Sequence, residues 1–127
     1  MATYTPLWCR SACRNIWGIE VMSYTVSATD LGKLRFNEIE VVNSVLQNIA
    51  VILSTPKGSV PLYRGFGLDC KYLDKPIPVA KVLMVSEVRE AIERWEPRAA
   101  VLDVSFAADP SKPGTLIPIV EVDINLE

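Results

Sequence analysis

The chain contains no histidine. That absence removes the Ser-His and Cys-His nucleophile pairs and the commonest metal ligand. Cysteine is scarce and odd in number: Cys9, Cys13 and Cys70. The Cys9/Cys13 spacing would permit a metal half-site, but no second pair completes it. Incidental thiols in a reducing cytoplasm are the better reading, so neither metal nor cofactor is expected. There is no basic run, and the formal net charge is −2. Nucleic acid is therefore not the expected partner. No stretch is long and apolar enough to span a bilayer. The first 21 residues hold Arg10, Arg14, Trp8 and Trp17 but no apolar run of signal-peptide length.

What is present is a chain of 127 residues, half of them hydrophobic and 22% charged. That suits one folded domain with one core. Residues 1–21 lack helical or alternating period, and Met22 directly precedes the first strand pattern. They read as an upstream extension outside the fold, with an arm docking through Trp8 and Trp17 as the alternative. Residues 22–127 then form the single domain.

From Ser23 to Thr29 the chain alternates, with Tyr24, Val26 and Ala28 on one side. This predicts a short half-buried strand. Asn37 and Glu40 form a capping-box-like pair ahead of an amphipathic helix over 38–53. Its stripe is Ile39, Val42, Leu46, Ile49 and Leu53, widened by Val45 and Ile52. Pro56 and Gly58 break it, and a loop with Gly65 and Gly67 around Phe66 follows. Phe66 is expected to anchor that loop, and Tyr63-Arg64 to be solvated or to meet a partner. Lys57-Gly58-Ser59 lacks the upstream glycine and residue order of a phosphate loop, so it reads as a turn.

A second helix is predicted over 78–95, burying Ala80, Met84, Val88, Ala91, Ile92 and Trp95. Glu90 and Arg94 are spaced as a surface pair. Two alternating runs close the chain around the turn Asp109–Gly114. The first places Ala100, Leu102, Val104 and Phe106 on one face. The second places Leu116, Val120, Val122, Ile124 and Leu126 on one face. Together they predict a long antiparallel hairpin, with Pro118 at an edge or bulge. The fold class is α+β: two main helices packed on a small antiparallel sheet with a C-terminal β-hairpin.

The most informative segment is Trp95-Glu96-Pro97-Arg98, at the seam between the second helix and the hairpin. Pro97 restricts Glu96 towards extended backbone, so the helix should stop there. A carboxylate and a guanidinium then flank a rigid turn, a plausible docking point for another protein. A glycosidase would need two carboxylates, one of them held protonated. Glu96 is the only tempting acid, no second acid is marked out, and a neighbouring cation favours a carboxylate over an acid. No catalytic residue is assigned.

The residues Leu53, Thr55, Gly58, Phe66, Gly67, Glu96, Pro97 and Arg98, taken in order, resemble a family pattern. The run from Ile49 to Leu68, the second helix and the Glu-Pro-Arg turn are similar to the baseplate wedge and sheath-initiator family of contractile phage tails. Relatives occur in type VI secretion and other contractile injection systems. The resemblance covers about residues 23–127. It implies a non-enzymatic structural protein of the virion tail baseplate, assembled in the bacterial cytoplasm. Its implied partners are baseplate wedge proteins, tail sheath subunits, and tail tube or hub proteins, with no nucleic acid or membrane. Glu96, Pro97 and Arg98 would contact the wedge. The C-terminal strand, with Val120, Val122, Ile124 and Leu126, would seed the sheath by strand exchange through a free edge. Some relatives carry a lysozyme label, which these residues do not support. A cellular binding protein of the same fold that captures a regulatory partner is the alternative, and a cell-wall hydrolase the weaker one.

Overall fold

The computed structural model describes residues 23–33, 35 and 39–124. Residues 1–22, Asn37 and Leu126 lie outside them. Strand β1 is Ser23–Ser27, helix α1 is Val41–Ser54, helix α2 is Ile77–Trp95, strand β2 is Ala99–Ala108 and strand β3 is Leu116–Ile124. A short 3₁₀ turn, Asp30–Lys33, follows β1. The three strands form one antiparallel sheet in the order β1-β3-β2. The expected α+β architecture, with two helices and a C-terminal hairpin, is what forms.

The core lies between the helices and the sheet. Val45, Leu46, Ile49, Ala50, Ile52 and Leu53 come from α1, and Met84, Val88, Ala91 and Ile92 from α2. Val26, Ala99, Val120 and Val122 come from the sheet. Each fully buried side chain such as Ile49 contributes about 1.5–3 kcal/mol of transfer free energy. That burial holds α1 despite its β-branched content, which lowers intrinsic helix propensity.

Helix α1 begins later than its sequence suggests. Its cap is Glu40, in extended geometry with no side-chain capping bond. Ile39 lies ahead of the helix and is exposed, so it is not part of the stripe. The Glu40 carboxylate instead accepts from Asn43 Nδ2 at 2.8 Å. Gln47, unexpected in the interior, is buried and accepts from the Arg35 amide at 3.2 Å.

Helix α2 buries the expected face, with Trp95 partly exposed. Pro76 precedes its first residue and Pro78 sits in its first turn, where no helical donor is required. The expected Glu90–Arg94 ion pair does not form among the described residues. Arg94 lies over the Trp95 ring instead, 5.3 Å from its centroid.

Strand β2 departs from simple alternation. Val101 faces Val122 and Asp103 faces Glu121, so Leu102 is an extra residue in a β-bulge. The bulge switches faces: Ala99 and Val101 before it, and Val104 and Phe106 after it, pack on the core. Leu102 is turned out and exposed, contrary to the alternation.

Strand β3 is the central strand, not a terminal one with a free edge. Its residues 119–123 pair with β1 on one side, and 116–124 pair with β2 on the other. The sequence-based expectation failed because β1, distant in sequence, fills the side that the hairpin alone leaves open. Pro118 lies beyond the end of the β1 ladder, which stops at Ser27 and Ile119. Its missing donor is tolerated there although the strand is central.

Candidate partner-binding site at the Glu96-Pro97-Arg98 turn

Pro97 ends α2 as predicted: Glu96 leaves helical geometry at φ −135° and ψ 75°. The Glu96 amide still donates to the Ile92 carbonyl at 2.8 Å. The Ala99 amide then donates back to the Glu96 carbonyl at 3.1 Å. Residues 96–99 therefore form a hydrogen-bonded turn with proline at its second position, where its fixed φ fits.

The two charges of the turn point at each other. Arg98 Nε donates to Glu96 Oε1 at 2.6 Å, and Asn48 Nδ2, from α1, donates to Glu96 Oε2 at 2.8 Å. Glu96 is 4% exposed, whereas the Arg98 side chain is 47% exposed. An unpaired carboxylate at such a site would cost several kcal/mol of desolvation, which the two donors offset together. Bonding and charge from Glu96 push the Arg98 pKa above its ordinary value. Arg98 commits only Nε. Among the described residues, nothing accepts from its two terminal nitrogens, so half of its fork stays uncommitted there.

Beside the turn, Trp95 meets two aromatic rings edge-on. Tyr63 lies 5.2 Å away at 64° and Phe66 5.3 Å away at 63°. Such pairs add about 0.5–1.5 kcal/mol beyond area burial. Asn48, Val51, Ile52, Tyr63, Phe66, Trp95 and Glu96 line an open hollow of about 210 Å³. Among the described residues Glu96 is its one carboxylate, and both of its oxygens hold donors.

The loop that brings Tyr63 and Phe66 here is clipped at its base. The Leu68 amide donates to the Thr55 carbonyl at 2.9 Å, and the Lys57 amide to the Leu68 carbonyl at 2.8 Å. Gly67 makes this approach possible. Its φ is +99°, and a Cβ there would lie 2.2 Å from the Thr55 carbonyl oxygen. Phe66 is half-buried against the core, as expected of an anchor, while Tyr63 and Arg64 are exposed. Leu62, also at φ above zero, is fully exposed on the same loop.

A second charged group lies beyond the clip. Asp69 accepts from Lys71 at 2.8 Å, with Lys57 at 3.7 Å. The Lys71 bond holds Asp69 below its ordinary pKa, and Asp69 holds Lys71 above its own. Burial pushes the Tyr72 phenol up. Among the described residues, no cluster of three or more His, Cys, Asp or Glu side chains is placed to hold a metal.

The structure brings Glu96, Pro97 and Arg98 together with one end of β3, since Ile124 pairs with Ala99. Val120 and Val122 lie deeper, fully buried and paired on both backbone sides, so neither is displayed to a partner. Leu126 is outside the described residues. Sequence reasoning missed Asn48. Its bond to Glu96 spans 48 positions, and an asparagine on a helix carries no local sign of its distant partner.

Two solved structures similar to the chain are baseplate chains. One is a chain of the anti-feeding prophage (AFP) baseplate in its 6-fold symmetrised cryo-EM structure. It is 22% identical with a TM-score of 0.55, over 65% of this chain and 68% of that one. Another is a chain of the post-contracted baseplate of pyocin R2, 25% identical with a TM-score of 0.54, over 65% of this chain and 84% of that one. No curated protein sequence matches the chain significantly. The family described as "Baseplate wedge protein gp25" matches residues 40–127. The chain belongs to that family, the structural proteins of contractile-tail baseplates.

Proposed function

We propose that this protein is a non-enzymatic baseplate subunit that joins wedge proteins to the tail sheath and starts sheath assembly by strand addition. Its place would be the baseplate of a phage tail or related injection particle, assembled in the bacterial cytoplasm. Tail tube or hub proteins would be further neighbours. Family membership over residues 40–127 supports the baseplate role. Against catalysis stand a Glu96 held by two donors and, among the described residues, no second carboxylate around the hollow.

The observation that carries strand addition is the outer edge of β2. With β3 enclosed, the hairpin offers an incoming strand only this side, where no described strand pairs. At ten residues β2 is also longer than the other outer strand, β1, at five. Phe106 faces Pro118 across the ladder. A proline has no N–H to give, so this is a non-hydrogen-bonded pair and the Phe106 amide turns outward. By alternation Val104 and Ala108 do the same. The bulge at Leu102 and the charge at Asp103 interrupt the edge and discourage self-pairing. An added strand would gain main-chain hydrogen bonds from residues 104–108.

Ala108 is exposed, so Ala108→Pro removes an outward donor without disturbing the core. The expected particles have baseplates but little sheath, with a normal circular dichroism spectrum for the purified variant. Full-length sheath at wild-type yield would place initiation on another surface.

A further inference from the structure

We infer that the outer face of α2 is an interface between two copies of this chain, packed antiparallel about a two-fold axis at the level of Met84. The inference goes beyond the proposed baseplate role and does not rest on it. Lys75, Val79, Val82, Ser86, Arg89 and Glu93 follow one another at alternating steps of four and three. At about 100° per residue they fall on one stripe, opposite the face that buries Met84 and Val88. All six are exposed, Val82 at 71% and Val79 at 48%. Two branched apolar side chains therefore point outward from a helix whose other side is already in the core. The alternation of four and three is the spacing of a seam between two helices.

The stripe complements itself when a second copy runs the other way. In an antiparallel pair centred on Met84, Lys75 faces Glu93 of the other copy, Val79 faces Arg89, and Val82 faces Ser86. The three pairs share one midpoint, as a two-fold axis requires. Lys75 and Glu93 carry opposite charges, and among the described residues no ion pair holds Lys75, Arg89 or Glu93. The aliphatic stem of Arg89 can cover Val79 while its guanidinium stays in water. The Ser86 hydroxyl already donates to the Leu83 carbonyl at 2.8 Å, so contact with Val82 leaves no donor orphaned. Leu83 and Val85, half-buried, flank the axis on either side and widen the apolar contact. A parallel pair would instead set Lys75, Arg89 and Glu93 each against its own like charge, which is unfavourable. The charge pattern thus selects a second copy, in one orientation, as the occupant of this face.

The test uses the full chain alone, so it does not depend on baseplate assembly. A seam of about five helical turns is small for an interface, and a dimer Kd of about 100 µM is expected. Sedimentation equilibrium up to about 1 mM protein should show monomer and dimer in exchange, and monomer throughout overturns the interface. Val82→Glu sets a carboxylate from each copy into the seam and should leave a monomer with an unchanged circular dichroism spectrum. Wild-type dimerisation by that variant places the contact elsewhere and overturns the inference. Lys75→Glu and Glu93→Lys, both at exposed positions, should each weaken the dimer about tenfold, because two surface pairs turn repulsive. The double variant Lys75→Glu/Glu93→Lys should return to within about threefold of the wild-type Kd, since each pair is again of opposite sign. Single reversals without effect, or a double variant as weak as the singles, overturn the antiparallel pairing.

Discussion

Gly67→Ala should be the most damaging single-methyl change in the loop that builds the site. The added Cβ would sit 2.2 Å from the Thr55 carbonyl oxygen and 3.0 Å from its carbonyl carbon. Both are backbone atoms at the end of α1, so neither can swing away like a side chain. Two effects add. An L-residue held near φ +99° costs about 1–2 kcal/mol. Relief of the clash opens the clip, and its two backbone hydrogen bonds contribute about 0.5–1.5 kcal/mol each. The sum is about 2–5 kcal/mol, a large part of the roughly 5–15 kcal/mol of a typical domain. With about 4 °C per kcal/mol, Tm should fall by about 8–20 °C. Gly58→Ala is the internal control. Gly58 also has a positive φ, +89°, but nothing lies within 4 Å of where its Cβ would stand. It should lose only the conformational part, about 1–2 kcal/mol. Urea unfolding of both variants separates the two effects, with near-ultraviolet circular dichroism reporting the Phe66–Trp95 contact. If the variants lose equal stability within about 0.5 kcal/mol, the close approach at Thr55 is not holding the loop.

Four further outcomes are expected, three at the turn and one at Asp69. Arg98→Ala should leave the monomer folded but keep it out of the baseplate, read by circular dichroism and by particle assembly; unfolding would assign the Glu96–Arg98 pair an internal role only. Glu96→Gln places an amide N–H₂ against one of two donors and should cost about 1–3 kcal/mol in chemical unfolding. Wild-type protein should not clear peptidoglycan, and clearance abolished by a still-folded Glu96→Gln would reinstate a hydrolase. Asp69 has a folded pKa below its unfolded value near 4, so its stabilisation is complete above about pH 4 and is lost as pH falls through the folded value. Asp69→Asn should therefore flatten part of the acid-side loss of Tm; an unchanged acid limb would mean the Lys71 pair adds nothing.

Local patterns foretold most of the fold. The α2 face, the end of that helix at Pro97 and the hairpin are all encoded within a few residues of where they act. What escaped was set by distant contacts. Leu102 alternates correctly on paper, but a bulge is a property of a pair of strands, and neither strand shows it alone. The free edge assigned to β3 was a sound inference from a hairpin, overturned by a strand at the other end of the domain. At the site, Glu96, Pro97 and Arg98 were legible because proline chemistry is local. The burial of Glu96 was not legible, because it depends on Asn48 and on how α1 lies beside the turn.

The enclosure of β3 bears on the order in which the molecule can assemble. Ser23 faces Asp123 and Ser27 faces Ile119, so β1 finds its partner about a hundred positions further along the chain. During synthesis β1 leaves the ribosome early and has no ladder to join until β3 follows. The helices can form and meet in that interval, because their contacts are local. Closing the sheet then requires a long loop to be brought together, which slows folding. Until then Val26 lacks the Val120 and Val122 side of its core, and the β1 backbone is open to any strand that passes.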